Sequence, residues 1–321
     1  MKKENRLLTI DGETLMSQPL TPLNFVVDTL LSQGLHILAG SPKVGKSWLA
    51  LWLAVTVAKG EAVWGMGVKQ GTTLYLCLED STLRIQNRLF EITEDAPASV
   101  HFTTNSDTLG KGLEEQLRAF LSEHPDTVLV IIDTLQMIRG TGYDNTYAND
   151  YRDLSVLKHI ADTHGIAILL VHHLRKMGDK DPINKLSGST GIAGAVDAIY
   201  VLEKNERIEN SATLYASGRD IRDRKMKLEM EPVTCTWQLL SDSLTMPETV
   251  MPDEMTALVT LMKATLLFNG SNTDLASALS ATLGREITAK GMKQVMNRWR
   301  FQMEALGVFF ESRRSNGQKY I

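Results

Sequence analysis

At Gly40 an apolar run, residues 35–39, gives way to Gly40-Ser41-Pro42-Lys43-Val44-Gly45-Lys46-Ser47, and a helix-like stretch, residues 47–59, follows at once. The octet has the form G-x-x-x-x-G-K-S. It demands a strand that stops where a helix starts, joined by a loop whose backbone N–H groups curl around an anion. Side chains at Gly40 or Gly45 would obstruct that wrapping. Lys46 is placed to reach β- and γ-phosphates, Ser47 offers a hydroxyl to Mg²⁺, and the helix from Trp48 onward turns its positive end to the same anion. Gly40, Ser41, Pro42, Lys43, Val44, Gly45, Lys46 and Ser47 are therefore the expected binding loop for ATP with Mg²⁺.

The surrounding pattern suits such a loop. Short continuous apolar runs at residues 35–39, 73–78, 127–132 and 166–171 alternate with helical stretches at 47–59, 81–90, 112–123 and 148–164. Runs of this kind are buried on both faces, so the expectation is an α/β fold with a mostly parallel, doubly wound sheet and its ligand at the strands' carboxyl ends. Strands at 198–202, 212–216, 225–231 and 234–240 would extend that sheet as antiparallel hairpins. The expected organisation is a lead-in over 1–33, a core over 34–240, a linker over 241–253 and a separate unit over 254–321. In that last unit helices are expected over 254–268, 273–283 and 289–306, the third N-capped by Thr288. Asn316-Gly317 signals a hairpin turn between 308–310 and 319–321. Three helices and a hairpin are the parts of a small winged-helix domain.

Three strand ends supply chemistry. Asp133 closes the run 128–132 and is the expected Mg²⁺-coordinating carboxylate. Thr134 follows it, so a base that activates water must come from elsewhere. Glu79, at the end of the strand 74–78, is the candidate, facing the γ-phosphate, with Asp80 in support. The competing role for Glu79 is to cap the helix at Ser81. His172 and His173 end the next strand. Adjacent strand residues point to opposite faces, and His172 is the one expected to touch the γ-phosphate.

Composition narrows the partners. The net charge is −4, yet residues 281–321 hold eight basic residues against three acidic ones, so the preceding 280 carry −9. A basic terminal module suggests a nucleic-acid-facing surface. Cys77 and Cys235 match no zinc spacing, and no apolar run reaches the roughly 18–20 residues of a membrane span. A cytoplasmic location without membrane contact is expected.

The order of P-loop, strand-ending glutamate, aspartate and strand-ending histidine resembles the RecA-type ATPases. More narrowly it resembles the RepA-type hexameric helicases of plasmids and phages, the AAA_25 group. The stretches 34–43, 74–81, 131–135, 171–173 and 188–191 carry the likeness, which spans residues 20–240. It implies a homo-oligomeric ring, a hexamer, with sites between subunits and an arginine donated in trans. Ser187 stands where the family often has that arginine, so Arg219 is the expected substitute, with Arg222 and Lys185 behind it. It also implies single-stranded DNA contact from residues 139–149 and 174–185, the latter holding Arg175, Lys176, Lys180 and Lys185, and replication proteins as partners. A nucleotide-gated DNA-binding regulator uses the same parts without processive motion. A small-molecule P-loop kinase suits the strand-end residues less well.

Overall fold

The computed structural model describes residues 9–19, 22–139, 147–174, 190–204, 210–244, 252–311, 313–315 and 318–320. The chain divides into two compact units, Leu23–Thr245 and Met246–Ile321, the latter joined by Met1–Pro22. The N-terminal stretch is thus shared between the units.

The larger unit is built on one nine-stranded sheet. Its order is Trp237–Asp242, Arg224–Met230, Ser211–Gly218, Ala198–Glu203, Gly34–Gly40, Ala167–His173, Thr127–Asp133, Thr72–Cys77, Val100–Thr103. The six strands from Ala198–Glu203 to Val100–Thr103 are parallel. The remaining pairings are antiparallel. Every residue of Gly34–Gly40 and Thr127–Asp133 is buried, because both sheet faces are covered. Leu129, Ile131, Leu169 and Val171 point to the face packed by helix Lys46–Lys59. Val130, Ile132, Ile168 and Leu170 point to the other, against Leu113 and Leu117 of helix Leu113–Glu123 and Leu154, Leu157 and Ile160 of helix Tyr147–His164.

The four expected parallel strands and four expected helices all form, within one or two residues. Val100–Thr103 was not expected. It is an edge strand in which only Val100 is buried, so it lacks the apolar run that marks the inner strands. In the antiparallel extension burial alternates along Ser211–Gly218 and Arg224–Met230, as in a sheet with one wet face. The last strand starts at Trp237, later than expected, and runs through Asp242. Ser241 and Asp242 pair with Lys227 and Met226, so they belong to the sheet and not to a linker. Before the P-loop strand, Phe25–Val27 pairs with Leu31–Ser32 in a hairpin that buries Val26, Val27, Leu30 and Leu31.

The smaller unit contains helices Asp253–Thr265, Asn272–Leu283, Ala289–Arg298 and Arg300–Ala305, and the hairpin Arg313–Ser315 with Gln318–Tyr320. Ser271 and Asp274 form a reciprocal capping box, and the Thr288 hydroxyl accepts the Gly291 N–H. The single helix expected over 289–306 is broken: Trp299 leaves helical geometry as its C-cap, and a short helix restarts, tied by an Arg300–Glu304 ion pair. The short helix Gly12–Ser17, capped by Asp11, belongs here too, with the buried Asn297 side chain donating to Met16 O at 3.0 Å. Asn316 and Gly317 lie outside the described residues. Among the described residues no helix is long and apolar enough to cross a membrane.

A buried arginine, ion-paired within the antiparallel extension, ties that extension to the hairpin before the P-loop strand. Arg224, its side chain 1% exposed, pairs with Asp242 and donates to Thr29 O at 3.3 Å. Arg224→Ala strands that carboxylate, so it is expected to lower the unfolding free energy by about 3 kcal/mol in urea titration. A loss below about 0.5 kcal/mol would mean that the pair behaves like an exposed one.

Candidate active site

The P-loop emerges from Gly34–Gly40 and closes at Gly45, the N-cap of helix Lys46–Lys59. A side chain at Gly40 would meet Leu202 O at 2.5 Å, and Gly45 has φ +105°, a conformation that favours glycine. The Lys46 side chain is buried. Its ammonium donates to Gly40 O at 2.9 Å and Ser41 O at 3.0 Å, both groups of the loop itself. Burial lowers its pKa to about 8, against the opposing pull of the Asp133 and Glu79 carboxylates.

Asp133 ends its strand one position beyond the strand next to the P-loop. Its carboxylate accepts from the Ser47 hydroxyl and, at 2.8 Å, from the Tyr75 hydroxyl. Burial raises its pKa, and those two hydrogen bonds oppose the rise. A hydroxyl and a carboxylate beside a phosphate loop suit Mg²⁺, which takes hard oxygens, keeps several waters and shares substrate phosphates. The residues present therefore fit the ion.

Glu79 is held from two sides. The Thr134 hydroxyl donates to its Oε1 at 2.8 Å, and His173 Nε2 lies 3.7 Å from its Oε2. His173 Nδ1 is 3.3 Å from Lys46 Nζ. An ammonium only donates, so Nδ1 accepts and the ring proton sits on Nε2, toward Glu79. The helix after Glu79 is capped by Ser81, whose Oγ accepts the Arg84 N–H, so Glu79 is not needed as a cap. Asp80 pairs with Arg84 at 2.7 Å and Arg88 at 2.6 Å.

Of the two histidines at this strand end, His173 lies beside Lys46 and Glu79, whereas His172 was the one expected at the γ-phosphate. His173 pairs with Gly40 in the parallel register, and alternation sends His172 to the opposite face. Arg219 is placed far from its own loop. It follows the strand Ser211–Gly218, whose Gly218 pairs with Ala198, whereas Gly40 pairs with Leu202. The separation is four residues along the strand, on the order of 13 Å. Arg219 donates to Gly194 O at 3.1 Å and lies 3.8 Å from Asp197. Arg222 is exposed. Arg175, Lys176, Lys180, Lys185 and Ser187 lie outside the described residues.

The contacts of the Tyr75 and Thr134 hydroxyls are not legible in the sequence. Tyr75 lies two residues before Cys77, the residue that pairs with Asp133, on a neighbouring strand. Only that register brings its hydroxyl to the carboxylate.

A model of the AAA_25 family, described as "AAA domain", matches residues 2–179. No curated protein matches. Among solved structures, the chain is similar to the "ATPase Domain of G40P", with a TM-score of 0.54 and 15% identity over 65% of this chain and 85% of that one. It is also similar to a structure titled "The Structure Of A DnaB-Like Replicative Helicase And Its Interactions With Primase", with a TM-score of 0.53 and 15% identity over 64% of this chain and 57% of that one. At that identity the likeness is one of fold, a RecA-type P-loop core.

Two measurements test the site. The unfolded Lys46 titrates near 10.5 and the folded one near 8. Between these values the fold holds fewer protons than the unfolded chain, so this group makes the fold more stable as pH rises. Phosphate binding needs the ammonium, so MgATP affinity should fall above pH 8 by up to about tenfold per pH unit. Calorimetric titration from pH 7 to 10 reads this, and Lys46→Met should bind weakly with no such slope. Thr134→Val removes the donor to Glu79. Its kcat for ATP hydrolysis should fall by about tenfold with little change in KM, as for a lost hydrogen bond to a charged group. A raised KM at constant kcat would place Thr134 in binding alone.

Proposed function

Since the chain belongs to the AAA_25 family of AAA domains, we propose that this P-loop ATPase is a ring-forming motor on single-stranded DNA, a replicative helicase of the RepA-like kind serving a mobile element. The observation that carries the reading is the division of the site. Lys46, Ser47, Asp133, Glu79 and His173 converge within one chain, while Arg219 stands at the opposite end of the strands and can reach a γ-phosphate only in another copy. Similarity of fold to the ATPase domain of G40P and to a DnaB-like replicative helicase that interacts with primase supports it.

In the reaction, Glu79 orients a water and takes its proton. The water oxygen bonds to the γ-phosphorus as the bond from that phosphorus to the β,γ-bridging oxygen breaks, yielding ADP and phosphate. Thr134 and His173 fix the direction of the Glu79 carboxylate. Lys46 stabilises charge on the β- and γ-oxygens. Ser47 and Asp133 would hold Mg²⁺, which when bound neutralises phosphate charge. Arg219 of a neighbouring subunit completes the site in trans. Arg175, Lys176, Lys180 and Lys185 track the phosphates of a single strand, and the smaller unit acts as a winged helix on duplex DNA or a replication protein.

The basic surplus of residues 281–321 and the hairpin of the smaller unit also suit a nucleotide-gated regulator that binds duplex DNA. Full-length protein separates the two. The motor reading expects weak basal ATPase stimulated by single-stranded DNA, a particle near six subunits by light scattering with ATP and Mg²⁺, and strand unwinding lost in Glu79→Gln. ATPase indifferent to single strands, together with tight sequence-specific duplex binding, would decide for the regulator. A strict monomer would sink the ring.

A further inference from the structure

The last strand of the antiparallel extension places a tryptophan against the P-loop, from a part of the chain beyond the residues that match the family model. Trp237 opens the strand Trp237–Asp242, four strands away from Gly34–Gly40 in the sheet order, yet its ring is fully buried beside Gly45. Its indole N–H donates to Gly45 O at 3.3 Å. A Cβ at Gly45 would meet the Trp237 ring at 2.8 Å and the Met230 methyl at 3.3 Å. Met230 and Trp237 are paired residues at the mouth of one hairpin, closed by Glu231 N–H to Thr236 O at 2.9 Å.

We propose that Trp237 is a positioning residue for the phosphate site: it fixes the Gly45–Lys46 peptide plane and so aims the Lys46 backbone N–H at the bound phosphates. The peptide unit is rigid, so the carbonyl of Gly45 and the amide of Lys46 turn together. Gly45 has the freest backbone of any residue type and no side chain with which to cap the helix. Its carbonyl is held by the helical bond from Leu49 N at 3.1 Å and by the indole. The indole is itself anchored. Trp64, from the loop after the P-loop helix, donates its ring N–H to Trp237 O at 2.6 Å and packs on Trp52 of that helix, the ring centroids 5.4 Å apart. The helix that begins at the phosphate loop thus returns, through Trp64, to hold the residue that steadies its own first peptide. Lys204, directly after the strand beside the P-loop strand, stands 5.6 Å over the Trp237 ring. That cation ties the end of this strand to the same clamp.

The test is MgADP titration of the full chain as wild type, Trp237→Phe and Tyr200→Phe, with thermal melts of each. Trp237→Phe keeps an aromatic ring in place and loses the donor. Tyr200→Phe is the control for general destabilisation, since it removes a buried hydrogen bond to Leu30 O away from the P-loop. The expected result is MgADP affinity weakened about fivefold in Trp237→Phe, the size of one lost hydrogen bond, and unchanged in Tyr200→Phe. Lys204→Met should weaken it by a smaller factor in the same direction. Wild-type affinity in Trp237→Phe would overturn the inference, as would an equal loss in the control at an equal drop in melting temperature. The inference rests on nucleotide binding at the P-loop. Failure of the wild type to bind MgADP would overturn that reading and this one together, whereas tight binding by Trp237→Phe overturns this one alone.

Discussion

A buried ammonium organises this molecule. The Lys46 side chain has little water, and an unpaired charge there would cost several kcal/mol. The loop answers with two of its own carbonyls, Gly40 and Ser41, and the sheet answers with carboxylates at Asp133 and Glu79. Those carboxylates arrive together because neighbouring parallel strands end side by side. Gly40 is level with His173, Val171 with Asp133, and Asp133 with Cys77, so the strand ends form a row along one edge of the sheet. A triphosphate would suit such a row, bringing negative charge to Lys46, and Mg²⁺ held at Ser47 and Asp133 would offset the charge of its oxygens.

What could be read from residues alone was whatever is local. The P-loop is contiguous, and the apolar runs that end in Glu79 and Asp133 announce both strand and strand end. Register is not local. Whether His172 or His173 faces Lys46 depends on which of them lies level with Gly40, a relation between segments more than 130 residues apart. The bonds of Tyr75 to Asp133 and of Thr134 to Glu79 are hidden in the sequence for the same reason, since each joins two strand ends. The edge strand Val100–Thr103 carries no apolar run because one side of it lacks a neighbour. The break at Trp299 lies inside a stretch whose composition is helical throughout, and only the cap geometry shows it.

Adjacent acids illustrate how position divides labour. Glu79 and Asp80 are neighbours of like charge at one strand end. Asp80 faces the following helix, where Arg84 and Arg88 hold both of its oxygens, and Arg88 also stacks over Trp48 at 5.2 Å. Trp48 lies in the first turn of the P-loop helix. The pairing therefore ties the strand that presents Glu79 to the helix that presents Lys46 and Ser47. Glu79, which is left half-exposed, is oriented by Thr134 and His173. One acid is committed to geometry, and the other stays half-exposed at the strand end.

The antiparallel strands complete this logic from the other side. A parallel sheet ending at Ala198–Glu203 would leave Gly45 without a cover. The hairpin that brings Met230 and Trp237 against it exists only because three further strands continue the sheet and turn back at the carboxyl edge. The same continuation carries Arg219 to the opposite edge, beside Asp197, which also accepts the Leu35 N–H at the base of the P-loop strand. One extension thus steadies the phosphate loop at its top and ties a cation to the foot of the P-loop strand.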